Sequence, residues 1–329
     1  MQKINWGIIG CGDVTEVKSG PAFNRVKNSS LVAVMRRNAE KAKDYAHRHG
    51  VPRWYADAGQ LINDPEVNAI YVATPPSSHE QYALAAIRAG KPVYVEKPMA
   101  VDLGAARRMA KAAADANGKL VVAHYRRRQP RFRKVKQLID DSAIGKVLLV
   151  RLELTKPPMT PEERANPNYG WRVVPEIAGG GLFHDLGTHQ LDLMYYFFGP
   201  AAEIAGHAVN QGNQYPVPDL VAGSILFQNG IAFSGTWCFN ASRQSEKDHC
   251  VIIGTEGTIS FPIFSGDSLL VEAAGESKVF RFDPLPHVQQ PMIEATVRYF
   301  LGEGPNPDSG MEGAEIMRWI EALVKPSAP

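Results

Sequence analysis

Along the first third of the chain, continuous apolar runs alternate with helical patterns. INWGIIG (4–10), SLVAVMRR (30–37), NAIYVAT (68–74), PVYVE (92–96) and KLVVAHY (119–125) read as strands. Between them NAEKAKDYAHRHG (38–50), SSHEQYALAAIRAG (77–90) and VDLGAARRMAKAAADANG (101–118) carry helical spacing. The second helix has capping-box spacing, Ser77/Glu80 or Ser78/Gln81, and a stop at Gly90; Asp102 is a natural N-cap for the third. Strands that are apolar throughout are those covered on both faces. The repeat therefore predicts an α/β domain on a doubly wound parallel sheet over residues 1–123.

The rhythm changes after about residue 124. A helix, RFRKVKQLIDD (131–141), leads into the strand KVLLVRLELT (146–155) and a long proline-rich loop, 156–178. A second helix follows, beginning in GGLFHDLGTHQLD (180–192). From about 202 to 283 the pattern is strand–turn–strand, with ILFQ-NG-IAFSG spaced for a two-residue hairpin turn. Helices near 288–301 and 309–324 close the chain. Residues 124–329 are thus expected to form an α+β domain on an open, largely antiparallel sheet, suited to substrate binding and self-association.

Bulk properties narrow the function classes. With 329 residues and 44% hydrophobic content, two packed cores are possible and disorder is not suggested. A net charge of +2 gives no overall field for nucleic acid or a membrane surface, and no apolar run approaches the ~20 residues of a membrane helix. Three scattered cysteines (Cys11, Cys238, Cys250) suggest neither a disulfide frame nor a zinc site. A cytoplasmic setting is expected, because the first strand-like run begins almost at Met1, with no export signal before it.

Gly10-Cys11-Gly12-Asp13-Val14-Thr15 follows the first strand. The first glycine permits a tight turn, the second lets a pyrophosphate approach the backbone, and the next helix start offers N–H groups to phosphate. This is the loop of a dinucleotide-binding Rossmann domain, with Thr15 where a third glycine is usual; that departure is expected to loosen the helix–strand packing. At the end of the second strand an Asp or Glu would hold the ribose hydroxyls of NAD. The residues here are Met35-Arg36-Arg37-Asn38, and guanidinium groups match a 2′-phosphate, so NADP is favoured with NAD as the alternative.

TPPSSH (74–79) and VEKPMA (95–100) lie at the carboxyl ends of the next strands, where ligands of open α/β sheets sit. Thr74, Pro75, Pro76, His79, Glu96, Lys97 and Pro98 are therefore candidate cofactor-side residues. On a helix, Asp185, His189, Asp192 and Tyr196 share one strip, and Leu182, Leu186, Leu193 and Phe197 a neighbouring one. An i,i+4 Asp/His pair could hold one edge of a metal site, but no second cluster of ligands stands out, and none is assigned. Trp171 and Arg172, with Tyr169, offer an aromatic platform beside a guanidinium for a hydroxylated ring; His184, Tyr125 and Arg127 are further substrate candidates. In YRRRQPRFRKVK, seven basic residues fall between 126 and 136; some are expected to reach phosphate or carboxylate groups and the rest to be solvated. Gln289 and Gln290 are weaker candidates, Asp192 is expected to face solvent or another subunit, and Cys11 to face the cofactor loop.

GIIGCGDV, TPPSSH, YVEKPMA, GGGLFHDLGTHQLDL and IIGTEGTI together resemble the glucose–fructose oxidoreductase / inositol dehydrogenase / rhizopine-catabolism (Gfo/Idh/MocA) family, over nearly the whole chain. The resemblance implies a nicotinamide-dependent oxidoreductase acting on a sugar, keto-sugar, inositol or related polyol. It implies that Lys97 is an active-site residue, often with a cis peptide before Pro98, and that Asp185 and His189 are the family's Asp-x-x-x-His pair. Hydride transfer leaves or consumes a proton on the substrate oxygen; His189 suits that task, Asp185 can orient its ring, and Lys97 can polarise the oxygen or exchange roles with His189. Two other classes compete. One is a non-catalytic NAD(P)-sensing protein, which has no use for Lys97, Asp185 and His189 together. The other is a glycosidase working through transient oxidation at a retained NAD, against which the Arg36/Arg37 pair counts. A homo-oligomer, dimer or tetramer, is expected.

Overall fold

The computed structural model of the protein describes residues 2–325. Two compact units form among the described residues: 2–126 with 285–317, and 127–284 with 318–325. The division is not the contiguous 1–123/124–329 split that the strand pattern suggests. The reason is the helix Gln290–Leu301, whose Met292, Ile293, Val297 and Phe300 join the buried cluster of Trp6, Phe23, Tyr71 and Tyr94. The Trp6 ring lies tilted against Phe23 and Phe300, 4.8 and 5.5 Å away, ring centre to ring centre. Burial of such large rings contributes a large share of apolar area to this unit's core.

The first unit is built on six parallel strands, β1 (Ile4–Ile9), β2 (Ser29–Met35), β3 (Arg53–Tyr55), β4 (Ala69–Val72), β5 (Val93–Val95) and β6 (Leu120–Val122), in the order β3-β2-β1-β4-β5-β6. Its helices are α1 (Asp13–Val17), α2 (Ala39–Arg48), α3 (Ala58–Asn63), α4 (His79–Arg88) and α5 (Leu103–Asp115). Asn38 caps α2 through Lys41 N and Asp102 caps α5 through Ala105 N at 2.7 Å. The box expected at the start of α4 does not form. Ser78 Oγ donates instead to Thr74 Oγ1 and Pro75 O, and Glu80 pairs with Arg108.

One surface contact ties α1 to α2 and carries a pH dependence. Arg48 donates both terminal nitrogens to the Glu16 carboxylate at 2.8 Å, and His49 Nε2 lies 2.8 Å from it. The Arg48 hydrogen bonds, helped by His49, hold the Glu16 carboxyl at about 2, below its usual 4.5. A depressed carboxylate contributes stability that is complete above its unfolded value and lost as pH falls toward the folded one. Glu16→Gln is therefore expected to lower stability by about 1 kcal/mol at neutral pH, a part-exposed pair being screened by solvent. The gap between variant and wild-type melting temperatures should close as pH falls below about 4.5. A gap that stays constant to pH ~3 would remove the ion pair as its cause.

The second unit carries eight strands in the order β14-β13-β12-β11-β7-β10-β9-β8. They are β7 (Val147–Thr155), β8 (Ala201–Val209), β9 (Leu220–Phe227), β10 (Ala232–Cys238), β11 (Lys247–Gly254), β12 (Gly257–Phe261), β13 (Ser268–Ala273) and β14 (Glu276–Arg281). All neighbours are antiparallel except β7 and β10. The β9–β10 turn is three residues long rather than two, since Phe227 N donates to Ile231 O and Asn229 Oδ1 accepts from Ile231 N. Helix α6 (Pro130–Asp140) packs on the sheet side at β13. The segment 156–178, expected as loop, contains α7 (Pro161–Ala165), closed by a Thr160/Glu163 capping box, and α8 (Pro175–Ala178). A π-helical turn, Phe183–Gly187, leads into α9 (Thr188–Phe198). No helix among the described residues is long and apolar enough to cross a membrane.

Candidate functional site

The first unit carries the loop after β1, Gly10 to Val14, whose shape depends on glycine. Gly10 has φ +95°, and a Cβ there would sit 2.8 Å from the backbone nitrogen of Thr74. Gly10 N and Cys11 N both donate to Met35 O, at 2.9 and 3.2 Å, which fixes the loop against the end of β2. Gly12 is extended, and the space where its Cβ would stand is open except for Gly10 O at 3.9 Å. No side chain among the described residues caps α1 at Gly12, Asp13 and Val14. An open glycine beside uncapped helix N–H groups fits the pyrophosphate of a dinucleotide.

Thr15 does not loosen this loop. It is fully buried, its hydroxyl donates to Gly12 O at 2.7 Å, and its carbonyl accepts from Tyr45 Oη at 2.8 Å. The close approach has moved to Gly20, where a Cβ would collide with Thr15 O and Tyr45 Oη. Cys11 is fully buried in the core cluster instead of facing the loop surface, and burial raises its thiol to about 11, so it is no nucleophile. Arg36 Nη1 donates to Cys11 O at 3.2 Å, placing one guanidinium against the loop, and Arg37 is exposed. Among the described residues neither arginine is paired with a carboxylate.

The TPPSSH and EKP loops are tied together by buried side chains. His79 is fully buried, with Nε2 2.7 Å from Thr74 O and Nδ1 3.1 Å from Pro98 O, and burial lowers its pKa. Its ring thus links the turn at Thr74, Pro75 and Pro76 to the carbonyl of Pro98, the residue that follows the cis Lys97–Pro98 bond. The Glu96 carboxylate accepts from Tyr71 Oη at 2.5 Å, Gln289 Nε2 at 2.6 Å and the Lys97 backbone N–H at 3.2 Å. Gln289 in turn accepts from Tyr94 Oη at 3.0 Å and is fully buried, so it braces the EKP turn rather than lining a cleft. Nothing local marks that role. Lys97 itself is half-buried.

In the second unit, the π-turn and α9 carry the expected acid/base pair. His189 is 3% exposed, and its ring meets Phe264 edge-on, 6.0 Å between centres at 70°. Asp185 Oδ2 accepts from Arg172 Nε at 3.1 Å, a partner that helical spacing cannot reveal. The Arg172 guanidinium lies over the rings of Trp171, at 4.6 Å, and Tyr169, at 5.3 Å. The aromatic platform therefore holds the arginine that holds Asp185. His184 is buried against Gly180, where any Cβ would strike its ring, and burial lowers its pKa to about 4. It stays neutral at pH 7, and its Nδ1 has no hydrogen-bond partner among the described residues.

Four expectations in this region are corrected. Asp192 does not face solvent: it is fully buried and pairs with Arg127, through Nε–Oδ2 at 3.2 Å and a closer Nη2–Oδ1 contact. Arg127 is thereby engaged in an internal ion pair and packs over Tyr196, so the polar strip of α9 is as buried as its apolar one. Tyr125 belongs to the core cluster of the first unit. Arg131, in the basic run, is also buried, its guanidinium donating to Ile263 O, Ser265 O and Gly266 O.

Residues 4–124 match the oxidoreductase family with an NAD-binding Rossmann fold, and residues 132–260 match the Gfo/Idh/MocA C-terminal domain. An oxidoreductase of Formosa agariphila is 47% identical over 321 residues, 98% of each chain. A 1,5-anhydro-D-fructose reductase of Ensifer adhaerens is 29% identical over 337 residues, 98% of this chain and 96% of its own. Levoglucosan dehydrogenase, solved in complex with NADH and levoglucosan, has a TM-score of 0.86 at 25% identity, covering 98% of this chain and 96% of that one. With a glycine loop that fits a dinucleotide and family matches across both units, the chain belongs to the Gfo/Idh/MocA oxidoreductases.

Proposed function

We propose that the protein is an NADP(H)-dependent oxidoreductase of a sugar, keto-sugar, inositol or related polyol. The observation that carries the cofactor choice is Arg36, set against the glycine loop by its bond to Cys11 O, beside Arg37 and with no carboxylate partner among the described residues. Charge and bidentate geometry suit the pair to a 2′-phosphate. The substrate class is supported by relatives named for anhydrofructose and levoglucosan. An NAD-dependent dehydrogenase is the second reading, because levoglucosan dehydrogenase is solved with NADH.

Gly10, Gly12, Asp13 and Val14 would hold the pyrophosphate, and the loops at Thr74 and Lys97 would flank the nicotinamide end. The bound nicotinamide would exchange a hydride with the carbinol carbon. His189 gives or takes the proton at the substrate oxygen, and Lys97 bonds that oxygen and stabilises its developing charge. Asp185, held by Arg172, orients the imidazole. In fluorescence titrations NADPH is expected to bind more tightly than NADH, and Arg36→Ala to narrow the gap about tenfold, the worth of one charge-assisted contact. Equal affinities in the wild type would exclude the arginine reading. A turnover screen of polyols and keto-sugars with the preferred cofactor then identifies the substrate.

The second unit's sheet leaves Leu148, Val209, Leu226 and Val279 exposed, which supports self-association into a dimer or tetramer. Light scattering that gave a monomer mass would exclude it.

A further inference from the structure

The turn 262–266, after β12, belongs to no helix or strand, yet two charged side chains hold it from opposite sides. Asp248, on β11, accepts the backbone N–H groups of Ile263 at 3.0 Å, Phe264 at 2.7 Å and Ser265 at 2.7 Å, and the Ser265 hydroxyl at 3.0 Å. Arg131, on α6, donates to the carbonyls of Ile263 at 3.1 Å, Ser265 at 3.0 Å and Gly266 at 2.8 Å. These are charge-assisted bonds, stronger than those between neutral groups. One side chain takes the N–H groups and the other the carbonyls, so neither the position nor the tilt of the turn is left loose. Packing alone does not account for such bracing, because Phe264 at its centre is only half-buried. What Phe264 does meet is His189, edge-on at 6.0 Å.

The geometry points to Phe264 as a positioning residue for His189, presented by the Asp248–Arg131 brace. Its ring walls one side of the imidazole, keeps water from that side and narrows the range of ring orientations. An acid/base acts only within hydrogen-bond reach of its target, and small misplacements are costly. The inference rests on the reading of His189 as the proton-transfer residue, and its test separates the two.

Phe264→Ala is expected to lower kcat about tenfold, the size of a lost aromatic contact, with KM and NADPH affinity unchanged. Phe264→Tyr, which keeps the ring, should restore it. Phe264→Leu keeps the bulk without the ring, and so still tests the idea if the alanine variant fails to fold. Asp248→Asn, which loosens the brace, should give an intermediate loss of kcat. In the free protein, NMR of the His189 ring protons, assigned by difference from His189→Gln, should lose the Phe264 ring-current shift in Phe264→Leu. Wild-type kcat in Phe264→Leu together with an inactive His189→Gln would overturn the positioning role and leave the catalytic reading standing. Full activity in His189→Gln would remove the catalytic reading and, with it, this inference.

Discussion

Replacing His189 by Gln is expected to lower turnover by ~10²–10⁴-fold while NADPH binds as it does to the wild type, the usual size of a lost general acid/base. The imidazole is nearly enclosed, at 3% exposure, so bulk water cannot readily stand in for it as proton carrier. The glycine loop and Arg36 lie in the other compact unit, which is why cofactor affinity should survive. Lys97→Ala should produce a loss in the same range, since in the proposed mechanism it removes the charge set to stabilise the substrate oxygen. The two variants differ in what they leave behind. Without His189 the proton has no carrier but the oxygen is still polarised; without Lys97 the reverse holds. Both contributions, however, bear on the same substrate oxygen in one transition state, so the double variant should cost less than the product of the two single losses. Full activity in either single variant would overturn that residue's assignment.

Asp192→Ala is expected to destabilise the second unit by about 3–5 kcal/mol, the cost of breaking a buried ion pair by removing one of its members. Arg127 is 3% exposed and its partner fully buried, so no solvent screening reduces the effect. In a calorimetric scan this corresponds to a fall in melting temperature of about 10 °C. Replacing both residues by leucine should recover much of the loss, because apolar residues of similar volume often substitute for a buried pair without net cost. A melting temperature unchanged in Asp192→Ala would show that Arg127 does not depend on it. Loss of activity without loss of stability would instead return Asp192 to the chemistry.

How far the sequence was readable varied with the range of the interactions involved. The long apolar strands and the helices capped by Asn38 and Asp102 were legible because their signals are local. The strand Arg53–Tyr55 and helix α3 were not, since three and six residues are too few for a period to show. In segment 156–178 the Thr160/Glu163 capping box, with Pro161 at the first helical position, was a local signal that could have located α7. The side chains that brace the site were hidden for another reason. Arg172 is 13 residues from Asp185, Arg127 is 65 from Asp192, and Gln289 is 193 from Glu96. Helical spacing placed Asp192 correctly on the strip of His189, yet nothing local said that the strip would be covered. The same holds for Phe264, an unremarkable aromatic between two strands until Asp248 and Arg131 are placed around it. Gly10, Gly12, Lys97, Asp185 and His189 stood out as candidates by motif and spacing; the side chains packed around them came into view only with the fold.

Direct hydride transfer to a sugar or polyol carbon is the step on which the proposed activity depends. NADPH carrying deuterium at the transferable position of nicotinamide C4, incubated with the enzyme and a keto-sugar that it turns over, tests this in a single mass spectrum of the product. One deuterium on the new carbinol carbon is the predicted result, absent when His189→Gln is used over the same interval. Product that forms without label, or a glycosidic bond that is hydrolysed with no net change in NADPH, would contradict it.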